Sequence, residues 1–224
     1  MMRAVDARGA IEQPLLRGWL HLIAIVPAML GTAALVLATQ ERRALQLSLI
    51  VYGFSLVLLF AVSATYHVPH WPERWKLRWK RLDHAAIFVV IAGTNTPVIG
   101  NVLQGPLRTA MLAIIWGLAG AGVLLCLAAL DLPRPVFAAA YVAVGWAALA
   151  VLPALVAQLG PSGLALLLTG GVLYSIGALV YALQRPVLWP RVFGYHELFH
   201  LMVVAASAVF FALIATDVVA VHRG

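Results

Sequence analysis

Residues 45–67 read LQLSLIVYGFSLVLLFAVSATYH and contain no charged side chain apart from a histidine at the end. A helix needs about 20 mainly apolar residues to cross a bilayer, so this stretch alone predicts a membrane-spanning helix. The whole chain agrees, because 63% of its 224 residues are apolar, 10% are charged and the mean hydropathy is +0.97. Soluble domains are about 45–50% apolar and about 25% charged. The composition therefore excludes a soluble domain and a disordered chain, and the single cysteine, Cys126, excludes an internal disulfide.

Apolar runs of similar length recur along the sequence, separated by charges and by Gly-Pro pairs such as Gly105-Pro106 and Gly160-Pro161. We predict an all-α membrane protein whose residues 1–224 form one seven-transmembrane helix bundle. The predicted spans are 18–39, 45–67, 83–103, 108–130, 135–157, 162–184 and 195–219.

The lysines and arginines predict the orientation of this bundle, because such residues concentrate in cytoplasmic loops. Eleven of the 15 fall on the N-terminal side of the predicted topology, including Arg3, Arg8 and Arg17. The other four, Arg223 among them, fall on the opposite side. We therefore expect a cytoplasmic N terminus and a C terminus outside. The net charge of +7 then indicates that basic loops set the orientation of the protein and contact anionic lipids. It does not indicate a nucleic-acid partner, and the sequence shows no evident protein partner.

The loop after the second span has an aromatic stripe of its own. Trp71, Trp75 and Trp79 recur every four residues among five cations. This pattern predicts a short interfacial helix that places its indoles among lipid headgroups. We interpret the nearby His70 and His84 as interfacial too.

Ionisable groups inside apolar spans are costly and are candidates for function. In the predicted topology, four spans deliver such polar groups to one layer near the cytoplasmic face. They are His21, Ser63, His67, Asp83, His84, His196, Glu197 and His200.

Within this layer, the spacing of His196 and His200 places two imidazoles on one face of a helix, which suits a metal ion. His67 is the natural third ligand, and zinc accepts three protein ligands with one open position. Asp83 is then placed to hydrogen-bond a metal-bound water, and Ser63 lies one turn before His67. The alternative is that these histidines serve helix packing or interfacial anchoring. His21 fits either a lining of the same cavity or a packing role.

The sequence contains two other polar motifs. His196-Glu197-Leu198-Phe199-His200 matches HExxH, the zinc protease signature in which the glutamate is the general base. No glutamate follows His200 as a third ligand, so this reading is disfavoured. In the third span, Pro97 predicts a kink, and Asn95 fits either a polar cavity or helix–helix hydrogen bonding.

The three motif blocks together resemble the haemolysin III family, the bacterial branch of the progestin and adiponectin receptor group, which is related to alkaline ceramidases. The blocks are residues 63–67 (SATYH), residues 82–97 from Leu82-Asp83-His84 to Pro97, and residues 194–200 (GYHELFH). The resemblance implies a seven-helix bundle in the bacterial inner membrane with zinc near its cytoplasmic side. It implies His67, His196 and His200 as zinc ligands, Asp83 beside the metal water and Ser63 as the serine of the second span.

Three functions follow as hypotheses. The first is a zinc-dependent hydrolase of a lipid amide or ester, in which zinc lowers the pKa of its water towards ~7, Asp83 accepts the water proton and Ser63 steadies the oxyanion. The second is a receptor-like regulator of membrane homeostasis in which the zinc is structural. The third is a haemolysin-type pore former or transporter.

Overall fold

The computed structural model describes residues 14–128 and 132–219, and within these ranges the chain is helical and contains no β-strand. The expectation of an all-α membrane protein is confirmed at this level. Arg3, Arg8 and Arg223, which entered the orientation count, lie outside the described residues.

Seven α-helices make up most of the described chain. They are α1 (Trp19–Leu37), α2 (Arg43–His67), α3 (Glu73–Val102), α4 (Gly105–Leu127), α5 (Arg134–Gly145), α6 (Leu152–Leu183) and α7 (Tyr195–Leu213). A 3-10 turn, Trp146–Val151, joins α5 to α6, and a π-helical turn, Ile214–Val218, extends α7. Six helical segments of the described chain are long and apolar enough to cross a membrane, the run Arg134–Leu183 being counted as one.

The run Arg134–Leu183 is interrupted at Gly160, whose backbone has φ 67° and ψ −178°. Glycine tolerates a positive φ, and Pro161 cannot donate a helical hydrogen bond, so a helix has reason to end here. The two parts of the run pack side by side. Trp146 Nε1 donates to Ser175 Oγ at 2.8 Å, and the Arg134 guanidinium carbon lies 6.0 Å from the centre of the Tyr181 ring. The start of the run therefore contacts its end, so the two parts are antiparallel.

Helix α3 begins earlier than the sequence predicts. It runs without interruption from Glu73, so the predicted interfacial helix is the first turns of α3 and not a separate element. Residues 73–82 contain arginine, lysine and leucine, which favour helix, and no glycine or proline that would end it. Trp71, which was predicted on the stripe, precedes the helix, and its indole donates to Thr65 O at 2.7 Å.

The core lies around α3, which packs against α2, α4 and α5. Phe88 and Ile99 of α3 are almost fully buried, whereas Ile23 of α1 and Leu124 of α4 are each 68% exposed. Close approach of α2 and α3 depends on Gly93, because a Cβ there would lie 1.9 Å from Ser55 Oγ. Large apolar side chains on the outside and small residues between helices are typical of a bundle in lipid.

Candidate metal centre

The end of α2 and the start of α7 bring three histidines together. His67 is the last residue of α2, and His196 and His200 lie on the first turns of α7. One ligand nitrogen from each lies within 4.8 Å of the other two, and His67 Nε2 lies 3.1 Å from His196 Nε2. Ligand nitrogens about 2.0–2.1 Å from a tetrahedral zinc ion are separated by about 3.3 Å. The His67–His196 separation already matches this value, and a wider separation of up to 4.8 Å would shorten by as much as about 1.5 Å when a metal ion binds.

The surroundings of His200 point the same way. Its side chain is 2% exposed, and its Nδ1 has no hydrogen-bond partner among the described residues. An unpaired buried nitrogen costs free energy unless some other group satisfies it. A metal ion is one group that would satisfy such a nitrogen, and imidazole donors suit zinc chemically.

Asp83 and Ser63, the two other predicted site residues, lie at the same place. Asp83 Oδ2 is 3.8 Å from His67 Nε2, and both Asp83 and Ser63 are buried. Together with His200 they line one cavity. The structure thus assembles all five predicted side chains from α2, α3 and α7.

Glu197 is engaged elsewhere, although it stands between the two histidines in sequence. One carboxylate oxygen accepts a hydrogen bond from Gly194 N at 2.7 Å, which caps the N terminus of α7. The other forms an ion pair with the Arg17 guanidinium. The side chain is fully buried. Because both oxygens are occupied, Glu197 positions α7 and is poorly placed to act as a general base.

Helix α1 supports the histidine cluster from one side. The His21 ring stacks on His200 with centroids 4.0 Å apart, and neither of its nitrogens has a hydrogen-bond partner among the described residues. His21 also lines the cavity, as one of its two predicted roles required. At the start of α1, Gly18 has φ +83°, and a Cβ there would lie 2.7 Å from His67 Cβ.

Two pockets meet at the cluster. The first is apolar, with an empty volume of about 840 Å³, and extends from His200 and Asp83 to Trp146, Tyr174 and Phe210. The second is polar, with an empty volume of about 610 Å³. Its lining includes two of the three histidines, several tyrosines and the cations Arg17, Lys80 and Arg134. Asp83, Ile87 and Phe199 belong to both linings, so the histidine cluster lies where an apolar and a polar space join.

His84, which the sequence predicts at the membrane interface, packs among aromatic side chains. Its ring lies 5.2 Å from the Phe137 ring, and its Nε2 is 3.3 Å from Tyr181 Oη. It lines the polar pocket. The sequence offered a signal for this packing, because the apolar Phe88 follows four residues later on the same helix face. His70, by contrast, is exposed as expected.

Of the two purposes predicted for Asn95, the structure shows the lining of a cavity. Thr94 and Asn95 line the apolar cavity. Asn95 Nδ2 also donates to Ile91 O at 2.9 Å, and Thr96 Oγ1 donates to Ala92 O at 2.8 Å. These bonds stay within α3, so the expected helix–helix hydrogen bond is not made by Asn95.

Comparison with known proteins gives the chain its family. The sequence model described as "Haemolysin-III related" matches residues 10–211, which include every residue of the site. The chain belongs to the haemolysin III family. It is 37% identical to Hemolysin-3 of Bacillus cereus over 161 residues, which cover 72% of this chain and 70% of that protein. It is 32% identical to the Hemolysin-3 homolog of Bacillus subtilis (strain 168), over 73% of this chain and 74% of the relative.

The similarity extends beyond bacteria. This chain is 27% identical to the human monocyte to macrophage differentiation factor over 196 residues, covering 84% of this chain and 77% of the human protein. The resemblance derived from the three motif blocks is therefore confirmed. The apolar helices and the family together make the chain an integral membrane protein.

Proposed function

We propose that this haemolysin III family member is a zinc-dependent membrane hydrolase that cleaves an amide or ester bond of a lipid. One observation carries the proposal: three histidines converge within 4.8 Å of one another beside the buried carboxylate of Asp83. Three ligands leave a tetrahedral zinc ion one open position, which is typical of catalytic zinc sites and not of structural ones.

The residues around the cluster suit hydrolysis. His67, His196 and His200 would hold the zinc ion, which when bound activates a water molecule and polarises a carbonyl group. Asp83 lies beside His67, where its carboxylate would accept the proton of the attacking water. Ser63 lines the same cavity, and its hydroxyl would donate to the carbonyl oxygen as negative charge develops there.

The apolar cavity suits an acyl chain. Its lining is mostly apolar, with a few polar side chains, as in pockets that bind apolar ligands. Val90, Ile91 and Phe210 are among the apolar side chains along it. An acyl chain lying there would bring its amide or ester carbonyl to the end of the cavity that holds Asp83 and His200.

We also propose the arrangement in the membrane. The antiparallel packing within Arg134–Leu183 and the break at Gly160 support two crossings in this run and seven in the chain. With the N terminus in the cytoplasm and the C terminus outside, the histidine cluster lies near the cytoplasmic face of the bacterial inner membrane.

The test compares two aspartates of the same chain. Detergent-purified wild type, Asp83→Asn and Asp217→Asn are assayed for zinc content and for release of fatty acid from lipid amides and esters. Asp217 is the matched control, because it lies at the other end of the α7 segment and pairs with Ser162. We expect all three proteins to keep zinc and only Asp83→Asn to lose turnover, by about 100-fold or more.

Two outcomes would contradict the proposal. Full turnover by Asp83→Asn would remove the proposed proton acceptor. A folded, zinc-loaded wild type that cleaves none of the lipid amides and esters would favour the receptor-like regulator with a structural zinc ion.

A further inference from the structure

The polar pocket beside the histidine cluster is surrounded by more positive charge than the described residues neutralise. Of its three cations, Arg17 is paired with Glu197. Lys80 and Arg134 have no carboxylate partner within residues 14–128 and 132–219. Among the residues that the structure describes, Asp83 is the one acidic side chain in the lining. The pocket therefore offers two cations to a ligand.

Lys80 is directed to this pocket by helix geometry. Lys80, Asp83, His84 and Ile87 stand at positions i, i+3, i+4 and i+7 of α3, which is one face of a helix. All four line the polar pocket. The neighbouring Arg78 has a different environment, because its guanidinium lies 4.9 Å from the centre of the Trp75 ring.

Arg134 lines the pocket from a second helix, α5. Its Nη1 is 3.4 Å from Tyr195 Oη, and its guanidinium carbon lies 6.0 Å from the centre of the Tyr181 ring. Both rings are also neighbours of His196, with centroids 6.1 and 5.9 Å from the imidazole. One aromatic ring thus separates the Arg134 charge from a proposed zinc ligand.

The position of Arg134 has an electrostatic meaning. It is the first residue of α5, at the positive end of the helix dipole. A cation at a helix N terminus is unfavourable by itself, and an anion beside both would be favoured. Lys80 and Arg134 are both exposed, so this attraction is moderate and should weaken as the salt concentration rises.

From this placement we infer that the substrate is an acyl amphiphile with an anionic headgroup, a carboxylate or a phosphate, held between Lys80 and Arg134. The inference rests on the proposed hydrolase function and names its substrate class. The acyl chain occupies the apolar cavity, the bond to be cleaved lies at the histidine cluster, and the anionic group lies in the polar pocket.

The kinetic test uses two substrates that differ in headgroup charge: an N-acylglycine and an N-acylethanolamine with the same acyl chain. We expect a kcat/KM at least about tenfold higher for the N-acylglycine. Lys80→Gln and Arg134→Gln should each raise KM for N-acylglycine about tenfold with little change in kcat, and leave the N-acylethanolamine kinetics unchanged. Arg78→Gln is the control for loss of a surface cation and should leave both substrates unaffected.

A binding measurement on zinc-free protein tests the pocket without turnover. Titration calorimetry in neutral detergent compares dodecyl phosphate with dodecanol. We expect wild type and Arg78→Gln to bind dodecyl phosphate more tightly than dodecanol. The double variant Lys80→Gln/Arg134→Gln should lose this preference, and the charge-retaining Lys80→Arg/Arg134→Lys should recover it.

The outcomes separate this inference from the proposed function. Cleavage of the N-acylethanolamine in preference to the N-acylglycine would leave the hydrolase standing and overturn the anionic headgroup. Cleavage of neither, with selective binding of dodecyl phosphate, would count against the hydrolase and support the pocket. Equal binding of dodecyl phosphate by wild type and the Lys80→Gln/Arg134→Gln variant would overturn the pocket in every case.

Discussion

At the scale of single residues, the spacing of two histidines predicted that they form a pair. The position of a third histidine at the same predicted depth in the membrane indicated that it joins them. His196 and His200 stand four residues apart, which fixes them on one helix face, and His67 ends a span at the same predicted level. The ion pair of Arg17 with Glu197 could not be predicted in this way. These residues are 180 positions apart, and only the packing of the start of α1 against the start of α7 brings them together.

Glu197→Gln tests whether this glutamate positions α7 or acts as a base. The amide can still accept the hydrogen bond from Gly194 N, but the partly buried Arg17 loses its counter-charge. We expect the free energy of unfolding to fall by about 2 kcal/mol, seen as a lower Tm, while zinc content is retained.

The double variant Arg17→Gln/Glu197→Gln is the control for that loss of charge. If Arg17 without its partner is the cause, removing both charges should restore part of the Tm. A Glu197→Gln protein with unchanged Tm and no turnover on an established substrate would contradict the positioning role and favour the base of the HExxH reading.

At the scale of elements, the helices were predicted well where apolar runs are bounded by charges or Gly-Pro pairs. The break at Gly160-Pro161 was expected between two predicted spans. The start of α3 was not predicted. The ten residues from Glu73 to Leu82 are polar, as in a loop, but their residue types favour a helix. The early start of α3 places Lys80 and His84 on the same helix face as Asp83. Because this start was not predicted, the polar pocket was not predicted either.

The start of α1 gives a prediction at this scale. Gly18→Ala introduces a Cβ at φ +83°, which costs about 1–2 kcal/mol in backbone strain. The same Cβ would overlap His67 Cβ, which lies 2.7 Å away, and push the end of α2. We expect a lower Tm and a reduced zinc content, measured on detergent-purified protein.

Gly117→Ala is the matched control, because it lies in α4 with no atom within 4 Å of the new Cβ. Alanine favours helix over glycine, so Tm should stay or rise slightly, with zinc unchanged. Equal zinc in Gly18→Ala and wild type would show that the start of α1 does not hold His67 in place.

At the scale of the whole molecule, composition predicted the membrane and the motif blocks predicted the family. The two pockets could not be predicted, because the apolar cavity needs side chains from helices as far apart in sequence as α1 and α7. Periodicity reports which face of a helix is apolar, but not which faces leave space between them.

The number of crossings is a prediction that belongs to the whole chain. With seven, the two termini lie on opposite sides of the membrane, whereas one crossing by Arg134–Leu183 would place them on the same side. We expect a C-terminal alkaline phosphatase fusion to be active and a C-terminal green fluorescent protein fusion to be dark in bacteria. N-terminal fusions should behave in the opposite way. Both ends reporting the cytoplasm would contradict the seven-span arrangement.

The measurement that tests the central claim most directly is metal content by mass spectrometry on detergent-purified protein. Wild type is compared with His67→Ala, His196→Ala, His200→Ala and Asp83→Ala, each first shown to be folded. We predict about one zinc ion per chain in wild type and Asp83→Ala, and loss of the zinc ion in each histidine variant. A folded wild type purified with zinc available that holds no metal would contradict the account, and the three histidines would then be helix-packing groups.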